Sequence, residues 1–472
     1  MKNFKKVLNL SLILVMSVLI CFTSLTYAMA DDVNNIDNKD NQPNVTNDCD
    51  PNDYDENGAI LDRDMNSDDF DYEDKDPTSF ANFANSTSTQ STALIDVRAQ
   101  KNAEELPPER IIYMKAKKAY TVTGLKHKLN IQCSYVATGY IFVSQSNSDG
   151  VTYLSRCELK GTTATYKDEM KLVNFGHNQT LKVYSHNNKT YFLIGCKSNQ
   201  NGDKNNKKYG FGLTIQVGRI QYKAGTTISN YTQVNRIVRL DCANTSGKGF
   251  NTLTESEENN VKIKSIIKRM DASLSSNKKY LVLAVRSIHE DIQYSYYDFE
   301  VINNLLDKVE GKSPNYISCY NNTSIKNACK FSCIQKYKNR ILPNGSCQGI
   351  DFTNAYSIYM SGGAGTSGEI NDNGVTYYNN YIPKIAKMVK KGNSYTYSLC
   401  VRITNTYTSK EIDNNTTLDN YYMEIEGIQN TTDYLYFVLA PARVPNNSTE
   451  KSTTQYIYSL SKNEIDEKAS QL

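Results

Sequence analysis

The sequence predicts an all-β fold, a β-propeller of five blades preceded by an acidic N-terminal arm. Three observations predict it. From about residue 118 onward, runs of Tyr, Ile, Val and Thr alternate with clusters of Asn, Gly, Asp and Lys, a pattern typical of short strands joined by polar turns. Similar strand pairs recur five times along that stretch. Residues 31–80 carry a net charge of −14, unlike the rest of the chain.

Residues 1–30 have the features of a secretory signal peptide. Lys2, Lys5 and Lys6 precede an apolar stretch at 7–22, and an Ala-Met-Ala cleavage site follows at 28–30. The apolar stretch is shorter than the roughly 20 residues of a membrane-spanning helix. Because no later stretch is long and apolar enough to span a membrane, we expect a secreted or cell-surface protein with no transmembrane segment after cleavage.

Residues 31–104 form the predicted arm. Seventeen acidic residues stand against three basic ones between 31 and 80. Residues 1–30 carry a net charge of +3 and residues 31–80 carry −14, while the whole chain carries +3. Residues 81–472 therefore carry +14. A segment this acidic and poor in aliphatic side chains is predicted to be disordered. The near-neutral total argues against a nucleic-acid partner.

One part of the arm has the spacing of a calcium loop. Asp53, Asp55, Asn57 and Asp64 supply oxygens at positions 1, 3, 5 and 12, and Gly58 allows the sharp turn at position 6. Position 12 is Asp instead of the usual Glu. Calcium is therefore a candidate cofactor, and the alternative is an ordinary solvated acidic linker.

Residues 105–472 form the predicted propeller domain. Each repeat contains two predicted strands. Arranging repeats radially, as in a propeller, leaves only short and protected sheet edges, which a chain with so many strands requires. A pair of β-sandwiches, or another number of blades, is the alternative. Two short segments, 261–270 and 382–389, have the best helical periodicity. The first strands are predicted at 140–145, 191–196, 280–285, 356–361 and 435–440, and the second at 151–156, 213–219, 292–297, 375–378 and 455–460.

Several motifs resemble those of the helveticin J family of large secreted bacteriocins. They are Gly-His-Asn-Gln-Thr-Leu at 176–181 with Thr-Ile-Gln-Val-Gly-Arg-Ile at 214–220, Gln-Gly-Ile-Asp at 348–351, and Met-Glu-Ile-Glu-Gly-Ile-Gln at 423–429. The resemblance covers about residues 120–465. It implies a propeller architecture and a heat-labile antibacterial protein that acts on related bacteria. The acidic arm and the ten cysteines that remain after residue 30 depart from that pattern.

The motif positions precede or begin the first strands of repeats. We therefore expect His177, Gln179, Gln348, Asp351 and Glu426 to point into a central funnel. Glycines at 176, 349 and 427 would allow close backbone approach there. The functional interpretation is a ring of polar groups around a ligand. The alternative is that these groups satisfy strand-end backbone atoms between blades.

No catalytic motif is found, and the chain is predicted not to be an enzyme. The pattern G-x-G-x-x-G occurs at 363–368, but a strand follows it instead of a helix, so it predicts a hairpin loop. Residues 146–153 resemble an Asp-box turn without its Trp. Glu424 and Glu426 share one strand face, which leaves a glycan-cleaving enzyme as a weaker alternative.

Export permits disulfides. Cys319, Cys329, Cys333 and Cys347 are close in sequence, and two bridges within that segment are predicted; a zinc site is the alternative. Cys157 and Cys196 fall in strands and are predicted to be buried as small apolar residues.

Together these features predict a secreted bacteriocin-like protein whose propeller binds a glycopolymer or receptor on the bacterial surface. A basic body of +14 suits an anionic partner. A surface adhesin that does not kill is the alternative.

Overall fold

The computed structural model describes residues 110–147, 149–198, 213–258, 265–336, 347–362, 369–372, 375–378, 383–404, 421–443 and 453–472. The predicted signal peptide and arm, residues 1–104, lie outside them. The described chain is mostly β, as predicted. Its strands form antiparallel units of four, which we number 1 to 5.

Units 1 to 4 follow one another along the chain. Unit 1 comprises β3 (Ile131–Ala137), β4 (Tyr140–Ser146), β5 (Val151–Lys160) and β6 (Thr163–Val173). Unit 2 comprises β7 (Leu181–His186), β8 (Lys189–Ser198), β9 (Thr214–Gln221) and β11 (Asn235–Val238). Unit 3 comprises β12 (Ile267–Leu274), β13 (Tyr280–Ser287), β14 (Ile292–Asp298) and β16 (Cys329–Gln335). Unit 4 comprises β17 (Gly349–Phe352), β18 (Ile358–Gly362), β21 (Lys384–Lys391) and β22 (Ser394–Ile403).

Unit 5 joins the two ends of the described chain. It comprises β23 (Tyr421–Asn430), β24 (Tyr434–Arg443), β25 (Gln455–Ser461) and, from the N-terminal side, β2 (Lys117–Thr123). The first strands of the five units contact one another in cyclic order, β3 to β7, β12, β17, β23 and back to β3. We call these five the inner strands.

Additional strands pair in parallel with the outer strands of the units. β1 (Ile111–Met114) pairs with β22, β10 (Thr227–Ile228) with β6, and β15 (Tyr316–Ser318) with β11. The described residues contain four α-helices, α1 (Glu255–Glu258), α2 (Phe299–Val309), α3 (Thr323–Ala328) and α4 (Lys462–Ser470). In the two whose side-chain caps are seen, Asn322 accepts from the N–H of Ile325 and Ser461 from that of Glu464.

Five apolar clusters fill the interfaces between neighbouring units. One lies between each successive pair, including units 5 and 1. The middle strands are therefore buried on both faces, which explains uninterrupted apolar runs such as β13 in place of strict alternation. Cys157 and Cys196 are fully buried in such strands, as predicted.

The structure corrects two predictions. The segments expected to be helical, 261–270 and 382–389, contribute to β12 and β21 where they are described. Both strands lie between two neighbouring units, so burial on two faces outweighs local helical periodicity. Among the described strands, the second strand expected at 375–378, β20 (Val375–Tyr378), pairs only with β19 (Glu369–Asp372), while β18 pairs with β21. That hairpin is an insertion in unit 4.

Candidate functional site

Polar side chains from the inner strands meet where the five units converge. We call this set the axial network. Each member is at most 8% exposed. Buried polar groups of this kind must find partners within the protein. Its members are Gln132, His177, Gln179, Lys182, Arg269, Asp271, Ser273, Gln348, Asp351 and Glu426.

One part of the axial network joins units 2, 3 and 4. Gln179, two residues before β7, donates from Nε2 to Oε1 of Gln348, which directly precedes β17. Arg269 of β12 donates from Nη2 to Oε1 of Gln179. The same guanidinium donates two hydrogen bonds to the carboxylate of Asp271, from Nε to Oδ2 at 2.8 Å and from Nη2 to Oδ1 at 2.9 Å. His177 bonds through Nε2 to Oε1 of Gln132 in β3, which extends the contacts to unit 1.

Asp351 carries the other part of the axial network. Lys182 Nζ lies 3.1 Å from Oδ2, and both side chains are about 5% exposed or less. Ser273 donates its hydroxyl to Oδ1. The backbone N–H of Phe352 donates to Oδ1 at 2.7 Å, and that of Asn430 donates to Oδ2. One carboxylate therefore joins inner strands of units 2, 3, 4 and 5.

Two glycines permit the inner strands to approach closely. The N–H of Gly427 donates to the carbonyl of Gln348 at 2.9 Å. A Cβ on Gly427, whose φ is +58°, would lie 2.9 Å from the carbonyl oxygen of Gln132. A Cβ on Gly349 would lie 3.0 Å from Cα of Gly427. The expected close approach at positions 349 and 427 is thus confirmed.

The charges of the axial network act on the thiol of Cys133 in β3. Burial, opposed by the positive charge of Lys182 and reinforced by Glu426 and Asp271, raises the pKa of Cys133 to about 12. The group is therefore a neutral thiol at physiological pH and a poor nucleophile. Chemically, this arrangement holds the units in register by paired charges and hydrogen bonds.

All five predicted axial residues are buried. His177, Gln179, Gln348 and Asp351 hydrogen-bond within the axial network, whereas Glu426 lies in the middle of β23 and its charge acts on Cys133. Sequence reasoning missed their partners Arg269, Asp271 and Ser273. Their spacing at every second residue was the available signal, since it puts three polar side chains on one face of a strand. Assigning that segment to a helix concealed it. Whether the predicted residues bind a ligand stays a prediction.

Two other histidines, His127 and His186, make their contacts outside the axial network. His127 stacks on Tyr153 with ring centroids 3.5 Å apart and bonds to Glu169. His186 contacts Asp307 of α2, with Nε2 and Oδ2 2.7 Å apart. Arg219 donates to the other oxygen of Asp307 at 2.6 Å and to Glu310 at 2.8 Å. This second cluster attaches α2 to unit 2.

The disulfides predicted within residues 319–347 are not present. None of the nine cysteines in the described part of the chain forms a disulfide. Cys319 and Cys329 lie in the apolar cluster between units 2 and 3, whereas Cys347 lies in, and Cys333 packs against, the cluster between units 3 and 4. The four are separated because successive strands and turns send them to different interfaces.

The candidate calcium ligands Asp53, Asp55, Asn57 and Asp64 lie outside the described residues. Within those residues, no group of three or more His, Cys, Asp or Glu side chains is arranged to hold a metal ion. Nor does that part of the chain contain a helix long and apolar enough to cross a membrane.

Comparison with known proteins gives one family. The family model described as Bacteriocin helveticin-J matches residues 110–463. No curated protein matches the chain. Among solved structures, the chain is similar to a periplasmic gluconolactonase from Pseudomonas aeruginosa, at 7% identity over 73% of this chain and 72% of that one, with a TM-score of 0.28.

Two further solved structures are similar at the same low level. The NanB sialidase from Streptococcus pneumoniae gives 7% identity over 66% of this chain and 36% of that one, with a TM-score of 0.29. Drosophila semaphorin 2a gives 9% identity over 68% and 51%, with a TM-score of 0.27. At these scores none of the three bears on the activity of this chain.

Proposed function

Because the chain belongs to the helveticin J family of bacteriocins, we propose that it is a secreted antibacterial protein that binds an anionic glycopolymer or receptor on target bacteria. Family membership is the single observation that carries the antibacterial part. We propose binding without catalysis. Glu426, the carboxylate that a glycan-cleaving mechanism would use, is only 5% exposed.

We further propose that the five units are the five blades of a β-propeller. The cyclic contacts of the inner strands and the five interface clusters support this. Unit 5 combines strands from both ends of the described chain. Such a closure would hold the ring together, and it would present the unit surfaces as a rigid platform for binding.

The charge distribution supports an anionic partner. Residues 81–472 carry +14, and a protein of this charge is drawn to wall polymers that bear phosphate or carboxylate groups. Units 3 and 4 place Lys330, Lys390 and Lys391 on their exposed surface. Lys390 also lies 4.7 Å from the ring centroid of Phe331 in β16, so this lysine of unit 4 lies beside the outer strand of unit 3. We propose that these lysines contact the polymer.

A growth-inhibition assay with the purified protein tests the antibacterial part. Inhibition of related strains is expected, and binding to cells without inhibition would favour the adhesin instead. Running the assay with and without calcium also tests the predicted loop at 53–64.

The polymer contact is tested by the double variant Lys390→Glu, Lys391→Glu. We expect binding to isolated cell walls to fall about tenfold or more at low salt, since several charge contacts are reversed. The matched control is Lys171→Glu, Lys189→Glu, which makes the same charge change at exposed sites on units 1 and 2. Equal losses of cell-wall binding in both variants would mean that the net charge of the protein alone, and not these two lysines, attracts it to the wall.

A further inference from the structure

Four arginine side chains are buried in the described part of the chain, and three of them pair with carboxylates. These pairs are Arg219 with Asp307 and Glu310, Arg269 with Asp271, and Arg286 with Glu290. The fourth, Arg236 in β11, is 7% exposed and has no carboxylate partner among the described residues. Because a buried charge without a counter-ion is costly, an anion at this position would stabilise the protein.

Arg236 makes its side-chain hydrogen bonds to neutral amide oxygens. Nη1 donates to Oε1 of Gln216 at 3.2 Å, and Nη2 donates to Oδ1 of Asn315 at 3.2 Å. Nε is buried and has no acceptor among the described residues. The edge of the guanidinium formed by Nε and Nη2 therefore has two donor nitrogens and one acceptor oxygen.

The same edge of two other arginines shows which group fits it. In Arg156 and in Arg269, Nε and Nη2 donate to the two oxygens of a single aspartate. A carboxylate matches this fork because its two oxygens accept in parallel. At Arg236 the amide of Asn315 supplies only one of the two oxygens. A carboxylate in place of that amide would satisfy both donors.

The surroundings of Arg236 are aromatic and positively charged. Its Cζ lies 5.3 Å from the ring centroid of Tyr231 and 5.4 Å from that of Tyr316 in β15, and both tyrosines are half-buried. Burial raises the pKa of Cys196 to about 12, and the charges that oppose this rise are those of Arg236 and Lys197. Tyrosine rings offer apolar area, which suits the C–H face of a sugar ring. The surroundings therefore favour a ligand that is both anionic and partly apolar.

Asn315 is the group that such a ligand would displace. It is half-buried and follows residues 311–314, which are all exposed. Its Nδ2 donates to the carbonyl of Thr232 at 2.7 Å, and this bond lies at the surface. The side chain can turn away while the backbone N–H of Arg236 keeps its bond to the carbonyl of Asn315 at 3.2 Å.

We propose that Arg236 binds the carboxylate of an acidic sugar, with Nε and Nη2 donating to its two oxygens in place of the Asn315 amide. The carboxylate site follows from the contacts of Arg236. That the sugar is a unit of a wall polymer rests on the proposed function.

Calorimetric titration of the purified protein with sodium glucuronate tests the site. We expect saturable binding of glucuronate and none of glucose, which has a similar ring without the carboxylate. Inorganic phosphate is expected to bind at least tenfold more weakly than glucuronate, because it has no apolar face to pack against the tyrosines.

Two variants and a control locate the binding. Arg236→Gln removes the charge, and we expect it to weaken glucuronate binding at least tenfold. Asn315→Ala removes the competing amide, and we expect it to bind glucuronate about threefold more tightly, since no protein hydrogen bond to Nη2 is then displaced. This variant keeps the test decisive if Arg236→Gln does not fold. Asn304→Ala, at an exposed position of α2, is the control and should bind like the unmodified protein.

The proposal would be overturned if glucuronate did not bind saturably, or if it bound equally to the unmodified protein and to Arg236→Gln. Phosphate binding as strong as that of glucuronate, or an unchanged affinity in Asn315→Ala, would contradict it as well. The proposed function is judged separately by growth inhibition. A protein that inhibits growth without binding glucuronate would keep that function and lose this site, and glucuronate binding without inhibition would do the reverse.

Discussion

Replacing Asp351 by Asn is expected to destabilise the protein strongly. The substitution keeps the shape of the side chain but removes the charge that faces Lys182 Nζ at 3.1 Å. It also puts an amide donor where the carboxylate accepts hydrogen bonds from Ser273 and from the backbone of Phe352 and Asn430. Lys182 would then be a buried charge without its counter-ion.

The size of the effect follows from burial. Breaking a buried ion pair by removing one partner costs about 3–5 kcal/mol. With an unfolding entropy of about 2.1 cal/mol/K per residue over about 360 residues, that loss lowers Tm by about 4–7 °C. Chemical denaturation and thermal melting of Asp351→Asn measure both quantities. Asp149→Asn, at an exposed carboxylate, is the control and should change stability by less than about 0.5 kcal/mol.

A double-mutant cycle identifies the partner. Lys182→Met combined with Asp351→Asn should cost less than the sum of the two single changes, because the second substitution removes the charge that the first leaves unpaired. The reasoning would be refuted if Asp351→Asn lowered the free energy of unfolding by less than about 1 kcal/mol, or if the effects in the cycle were additive. Asp351 would then not connect the units through its ion pair with Lys182.

Three more predictions follow from single contacts. Gly427→Ala should destabilise by more than about 2 kcal/mol in chemical denaturation, because its Cβ would meet backbone at 2.9 Å, whereas Gly139→Ala, with φ +76° and nothing within 4 Å, should cost about 1 kcal/mol. Burial would raise the pKa of Asp307, but hydrogen bonds from His186 and from a buried arginine hold it below its usual value. Its stabilising contribution is therefore present at neutral pH and lost as the pH falls through that lowered pKa, so Asp307→Asn should flatten the acid limb of a stability–pH curve. Burial raises the pKa of Cys157 to about 12, so maleimide should label it only after unfolding.

Each of these has a contrary outcome. Equal losses at the two glycines would mean that the close contact is relieved by movement of the strands. An unchanged acid limb in Asp307→Asn would show that other carboxylates set the acid sensitivity. Rapid labelling of the native thiol would show that its strand opens locally.

Much of the strand content could be predicted from the sequence. The runs at 140–145, 191–196, 280–285 and 435–440 lie within β4, β8, β13 and β24. These strands are buried on both faces, so their apolar character is continuous and easy to recognise. β12 was missed although Arg269, Asp271 and Ser273 alternate as in a strand, because the helical periodicity of residues 261–270 was followed instead.

The candidate site was predicted in part. The motif glutamines stand where two inner strands begin, which is why Gln179 and Gln348 were found, and Glu426 was found from the motif at 423–429 within β23. Their partner Arg269 was not found, since the contact joins residues 90 positions apart in the chain. The cysteine spacing was misleading for a related reason. Cys319, Cys329, Cys333 and Cys347 are close in sequence, but the fold sends them to two different interfaces, so the predicted disulfides do not form.

The sequence by itself determined the mostly β class, the family motifs and the separation of an acidic segment from a basic body, because these depend on composition and short-range pattern. Only the tertiary structure decided which side chains share the axial network and which thiols stay apart. Those outcomes depend on how the units pack against one another, where burial on two faces overrides local preference and brings distant residues into hydrogen-bonding contact.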